Sequence, residues 1–208
     1  MNQAQRCVRL RPLTHFMTQA KYRKKEFFQG AYYHVYNRGV DRGIIFFEDE
    51  DFFYYITKLR EFKDRYKVDI IAYSLLDNHY HQFLNQLSDI PINKFLLAVN
   101  TSYGGYFNKK YKRIGPLMQD RFKQNIIISD EQFYWMLVYI NCNYEIHGLG
   151  KARDYPWSSY QDYLGLRDGT LCNMIKIKER FKTSSEYEKF CKRTRTHRLR
   201  RCVRLNQA

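Results

Sequence analysis

Val68-Asp69-Ile70-Ile71-Ala72-Tyr73-Ser74-Leu75-Leu76-Asp77-Asn78-His79-Tyr80-His81-Gln82-Phe83-Leu84-Asn85-Gln86 is the stretch that decides the fold. Residues 68–76 and 79–86 are two apolar-rich segments joined by Asp77-Asn78, a pair favoured in tight turns, and together they read as an antiparallel hairpin. Working outward, residues 30–39 (GAYYHVYNRG) have the aromatic and β-branched content of a strand bounded by glycines. Residues 49–66 carry Phe52, Tyr55, Ile56, Leu59 and Phe62 at helical spacing after an acidic first turn. Downstream, Ile92, Phe95, Leu96, Val99 and Tyr103 predict a helix over 91–108, with Pro91 tolerated at its start. Gly115-Pro116 breaks the chain, 124–128 reads as a short strand, and Ser129-Asp130 can cap a helix over 131–146 that ends before Gly148. The order β-α-β-β-α-β plus one helix predicts an α+β, ferredoxin-like domain with one added C-terminal helix. Helices with single apolar stripes predict a sheet covered on one face.

Composition bounds the rest. At 208 residues with 44% apolar side chains the chain can build one core. Its apolar runs are far shorter than a membrane span, and no signal-peptide core follows Met1, so a cytoplasmic protein without membrane contact is expected, nucleoid-associated in a bacterium. Cys7, Cys142, Cys172, Cys191 and Cys202 contain no C-x-x-C pair, which argues for reduced thiols. The net charge of +15 points to nucleic acid. Residues 1–25 carry seven basic and no acidic side chains, residues 189–208 eight and none, and the body between is formally neutral. Within the body, Lys109, Lys110, Lys112, Arg113, Arg121 and Lys123 cluster with Asp120 alone for company, and can meet phosphates.

The tails repeat each other. Arg6-Cys7-Val8-Arg9-Leu10 recurs as Arg201-Cys202-Val203-Arg204-Leu205, and Asn2-Gln3-Ala4 as Asn206-Gln207-Ala208. Neither copy has helix periodicity or strand alternation, so both are expected to be unstructured, translated from repeated flanking DNA with Met17 as the start. Functional basic arms that order on nucleic acid are the alternative. The division expected is 1–25 as a basic tail, 26–165 as the working domain, and 166–208 as an extension ending in a basic tail, with a weak helical signal over 175–190. Residues 17–188 are expected to suffice for folding and activity.

Two constellations carry chemistry. His79 and His81 alternate on a strand and so present two imidazoles on one face, a spacing a divalent metal can bridge and hydrogen-bonded structural histidines can also have. Oxygen ligands completing such a site would favour Mg²⁺ or Mn²⁺, a third histidine or a thiolate zinc. On the helix over 131–146, Phe133, Met136, Leu137, Ile140 and Tyr144 form the core stripe, while Tyr139 and Asn143 lie together off it at i,i+4. A phenol and an amide brought up to a histidine-bound metal make a nucleophile with its metal site; among 19 tyrosines, packing is the competing role.

The sequence resembles the HUH single-strand tyrosine transposases, in the branch of REP-associated tyrosine transposases, from about Gly30 to Gly165. The resemblance rests on Tyr33-His34-Val35-Tyr36-Asn37-Arg38-Gly39, Asn78-His79-Tyr80-His81, Gly115-Pro116-Leu117-Met118-Gln119-Asp120-Arg121-Phe122-Lys123, Tyr139-Ile140 with Asn143, His147-Gly148, and Tyr155-Pro156-Trp157-Ser158-Ser159-Tyr160, in that order. It implies His79 and His81 as the metal pair, Tyr139 as the nucleophile and Asn143 as a residue completing the metal site, with Mg²⁺ or Mn²⁺ as cofactor. It implies cleavage and rejoining of single-stranded DNA near hairpins through a 5′-phosphotyrosine, by a monomer or homodimer. Asp77 and Tyr144 depart from the family pattern, and Tyr144 supplies a second phenol near the first. For phosphates the candidates are Arg38, Arg42, Lys109, Lys112, Arg121 and Lys123; for stacking unpaired bases, Tyr32, Tyr33, Tyr36, Phe107 and Phe122. The rival readings are a domesticated, non-catalytic hairpin-binding protein on the same fold and an RNA-binding domain of RRM type, the latter lacking its signature here. No phosphate-binding G-x-x-x-x-G-K-[ST] loop occurs.

Overall fold

The computed structural model describes the backbone of residues 27–205 and the side chains of residues 27–195. The N-terminal tail and the first copy of the repeated segment lie outside the described residues. Four strands, β1 (Tyr32–Arg38), β2 (Val68–Leu76), β3 (His79–Gln86) and β4 (Lys123–Ile127), form one sheet in the order β2-β3-β1-β4. All neighbours are antiparallel, because each crossover, β1-α1-β2 through α1 (Asp49–Arg65) and β3-α2-β4 through α2 (Ile92–Lys110), steps over one strand. This is the expected ferredoxin-like α+β arrangement. The hairpin has the expected bounds, and the other elements end within two residues of expectation up to residue 130.

The sheet is covered on both faces, which corrects the one-face expectation. On one side Tyr33, Val35, Val68, Ile70, Leu75, Tyr80 and Leu84 pack with the apolar stripes of α1 and α2. On the other, Ile71, Ala72 and Phe83 pack with Phe133, Met136, Leu137 and Ile140 of α3 (Asp130–Asn141). A β-bulge between Ile70 and Ala72 makes this possible: β2 loses its alternation there, so Ile71 and Ala72 both join the α3 side. α3 is capped by Ser129, whose Oγ accepts from Gln132 N at 3.2 Å. Its helix breaks at Cys142 (φ −100°, ψ 11°) and resumes as the single turn α4 (Asn143–Ile146), where one helix over 131–146 was expected.

The segment after α4 belongs to the same body. Leu75 N donates to Trp157 O (2.9 Å) and Ser159 N to Tyr73 O (2.9 Å), so this segment covers the open edge of β2, while Trp157 stacks on Phe52 at 4.7 Å. Further on come α5 (Tyr160–Tyr163), α6 (Ile175–Arg180) and α7 (Ser184–Leu205). Tyr163 OH donates to Ile71 O at the bulge (2.5 Å). A buried chain then joins three elements: Ser159 Oγ donates to Asn141 Oδ1 (2.5 Å) and Asn141 Nδ2 to Tyr187 OH (2.8 Å). α7 corrects the expectation of an unstructured arm from residue 189. Tyr187 and Cys191, one helical turn apart, are buried in the α3-side core, and Arg195 pairs with Glu145, so the folded unit extends past 188. Among the described residues no helix is long and apolar enough to cross a membrane.

Candidate active site

β1 and β3 pair in the register Tyr36↔His81 and Arg38↔His79. Because side chains alternate, His34 and Tyr36 of β1 share a face with His81, and that face is the one α3 covers. The rings of His34 and His81 stack at 5.2 Å, and those of Tyr36 and His81 at 5.6 Å. The Tyr139 ring stands edge-on to both histidines, 5.4 Å from His81 and 5.9 Å from His34, and stacks on Trp135 at 5.4 Å. His79 lies 5.3 Å from His81 and 5.1 Å from His147.

Hydrogen bonds fix the imidazoles. His79 Nδ1 meets Asn78 Oδ1 at 2.6 Å; only a Nδ1–H can donate to that oxygen, so in the neutral ring Nε2 keeps its lone pair. His81 Nδ1 faces His34 Nε2 at 2.9 Å, and His81 likewise presents a bare Nε2 when its Nδ1–H is the donor. Burial holds these rings neutral. It pushes His34 down to about 3 and, with the charges of His147 and Arg38 added, His79 to about 4. His81 falls well below the ordinary histidine range through burial and then its histidine neighbours; His147 is lowered by burial. Neutral imidazole is the metal-ligating form.

Asn143 is completely buried, and neither its Oδ1 nor its Nδ2 has a hydrogen-bond partner. It lies against His79 closely enough to favour the imidazolium, but without hydrogen-bond geometry. A buried unpaired amide is costly, and a cation among these groups would satisfy its oxygen. Among the described residues no three His, Cys, Asp or Glu side chains converge on a metal position. What the fold does bring together is two neutral imidazoles and one amide, a donor set that fits a divalent cation. Tyr144 lies elsewhere, stacked on Tyr155 at 3.8 Å.

The phosphate candidates divide. Asn37, Arg38 and Gly39 are bonded both to the hairpin turn and to the loop before β4: Gly39 N donates to Asn78 O (2.9 Å), Gln119 N to Arg38 O (2.9 Å) and Asn37 Nδ2 to Asp120 O (3.0 Å). Only glycine allows this at 39, since a Cβ there would lie 2.1 Å from Gly43 O. Arg38 therefore stands beside His79, with Nε donating to Gln119 Oε1 at 2.6 Å, and exposed Arg121 and Lys123 follow in the same loop and strand. Arg42, left-handed at φ 60°, is held through its carbonyl by Asn78 Nδ2 (3.2 Å). Lys109 and Lys112 are exposed at the end of α2, in the layer across the sheet from the histidines. Lys110 is committed to Glu50 (2.8 Å) and Asp51 (3.0 Å). Of the stacking candidates, Tyr33 and Phe107 are core residues and cannot meet bases; Tyr32, Tyr36 and Phe122 are half-buried. Two members of this ring cluster, His34 and Trp135, were not among the site residues proposed from the sequence. His34 was traceable, because pairing Tyr36 with His81 puts it on the same face; Trp135, one turn before Tyr139, carries no motif.

This ferredoxin-like sheet, with a histidine pair beneath a tyrosine-bearing helix, has its counterparts among the transposases. The chain belongs to the IS200-like transposase family, whose family model matches residues 13–141. Among solved structures it is similar to a REP-associated tyrosine transposase bound to a REP hairpin, with a TM-score of 0.58 and 17% identity over 70% of this chain and 86% of that one. A second match is a crystal structure described as that of a candidate transposase from Deinococcus radiodurans R1, with a TM-score of 0.42 and 12% identity over 62% of this chain and 98% of that one. The curated proteins offer no match.

Proposed function

We propose that the protein cleaves and rejoins single-stranded DNA beside a hairpin, with Tyr139 as the nucleophile. The observation that carries this reading is the meeting of Tyr139 with His81, His79 and the unpartnered amide of Asn143 in one cluster. The Tyr139 oxygen forms a bond to phosphorus as the bond from phosphorus to the 3′ oxygen breaks; the phenol proton is lost and the departing oxygen gains one. The product is a 5′-phosphotyrosine and a free 3′-OH, and the reverse step rejoins the strand without nucleotide hydrolysis. His79, His81 and Asn143 would hold Mg²⁺ or Mn²⁺, whose charge would polarise the phosphate and ease ionisation of a phenol with an ordinary pKa of ~10. His34 and Asn78 orient the two histidines. Arg38, Arg121 and Lys123, with Arg42 on the adjoining loop, hold phosphates, and Tyr36 and Phe122 offer ring faces to unpaired bases. Incubation with labelled hairpin-bearing single strands and Mg²⁺ or Mn²⁺ tests the reading: a DNA-linked protein band in denaturing electrophoresis supports it. Tight hairpin binding without that band would make the protein a binder.

The tails are assigned non-specific affinity. A chain trimmed to residues 17–195 loses seven arginines but keeps Cys191 and Arg195. It is expected to fold and cleave, and its log–log salt slope for scrambled single strands should be shallower by up to about five, at ~0.7 per phosphate contact. Trimming at 188 removes the buried Cys191 and should lower the melting temperature. Salt titrations and thermal melts on the three chains check both expectations, and lost cleavage in 17–195 would make the ends part of the working protein.

A further inference from the structure

A groove of about 500 Å³ runs between the start of α3 and the helices that follow the family match, lined by Asp130, Glu131 and Trp135 on one side and Arg180, Phe190 and Arg193 on the other. We infer that it is a binding site for an unpaired nucleotide of the strand leading to Tyr139, which rests on the single-strand reading proposed above. Its size lies in the range of small-molecule sites, ~300–1,000 Å³. Trp135 makes it continuous with the catalytic cluster, since the same indole stacks on Tyr139 at an interplanar angle of 10°. The lining suits a nucleotide in each of its parts. Trp135 can stack on a base, which is the sequence-tolerant way proteins hold single strands, and Phe190, with Arg180 5.8 Å over its ring, adds an apolar wall. Arg180 is held 4.0 Å over the Tyr134 ring, and Arg193 is exposed on α7; both can meet phosphate. Asp130, paired with Lys176 at 2.9 Å, and Glu131 can accept from exocyclic amino groups. Two guanidiniums beside an aromatic wall and two acids fit one splayed nucleotide better than the dense phosphate rails of a duplex. The helices beyond the family match thereby acquire a role, guiding the single strand toward the nucleophile.

The test uses the full chain carrying Tyr139→Phe, so that no strand is cut, and two probes: a DNA stem-loop with an unpaired oligothymidylate flank and the same stem-loop without it. The chain has two tryptophans, and Trp157 is buried against Phe52, so quenching of emission by the flank reports on Trp135. The flanked probe is expected to quench and to bind more tightly than the blunt one. Trp135→Leu and Arg193→Gln should each weaken the flanked probe about tenfold and leave the blunt one unchanged, with Trp135→Phe restoring most of the loss. A flank that adds neither affinity nor quenching, or variants that weaken both probes equally, would overturn the site. Both readouts are independent of adduct formation, so the groove and the catalytic proposal can fail separately.

Discussion

Tyr139→Phe is expected to abolish the covalent protein–DNA adduct and to lower strand cleavage by about 10⁴-fold or more, the scale on which loss of a covalent nucleophile is felt. Hairpin affinity should change by less than about twofold. The reason is geometric: only the hydroxyl is lost, and a phenyl ring keeps the stack on Trp135 and the edge contacts with His34 and His81. Tyr144→Phe should leave the adduct intact, because that ring is stacked on Tyr155 at 3.8 Å, outside the histidine cluster. Denaturing electrophoresis and a binding titration on both variants separate the two phenols. An adduct that survives in Tyr139→Phe and disappears in Tyr144→Phe would reassign the chemistry.

The second large effect concerns the histidine pair. His79→Ala and His81→Ala should each reduce cleavage by about a thousandfold and weaken Mn²⁺ binding, since each removes one of the two neutral imidazoles of the proposed donor set, and His34, on the same face, has its Nε2 turned to His81 Nδ1. Calorimetric Mn²⁺ titration checks the metal term without reference to activity. His81 is buried, so a thermal melt must accompany its variant to separate lost ligation from lost packing. His147→Ala should cost far less, because His147 is exposed at the end of α4, with its ring 5.1 Å from His79. Cleavage that persists in a chelator would remove the metal role altogether.

The hairpin was legible because its arms, its Asp77-Asn78 turn and the alternation at His79 and His81 are all local signals. Crossover order followed from the strand and helix periods. What was not legible came from tertiary packing. The bulge at Ile71 adds a residue without marking it in the sequence, yet it turns β2 toward α3 and lets both sheet faces be buried. The stripe on α3 is wider than one sheet contact needs, since Tyr134 and Val138 are buried too, and that excess was the available sign that α7 lies over it. α7 itself is strongly basic, and its spacing of Tyr187 and Cys191 is a weak signal among so many charges. Tyr33 and Phe107 were misread as base platforms because aromatic content beside basic residues does not say which face a side chain takes. Spacing and resemblance single out Tyr139, Asn143, His79 and His81 as candidates, and their roles are those of the proposal above. The contact of His34 with His81 needed the β1–β3 register.

Peptide mass mapping of the adduct tests the central claim most directly. The full chain is incubated with hairpin-bearing single-stranded DNA and Mg²⁺ or Mn²⁺, digested with nuclease and protease, and searched for a tyrosine carrying a 5′-linked nucleotide. The proposed mechanism predicts that nucleotide on Tyr139, with its yield lost in His81→Ala; a nucleotide on Tyr36 or Tyr144, or none when strands are cut, would contradict it.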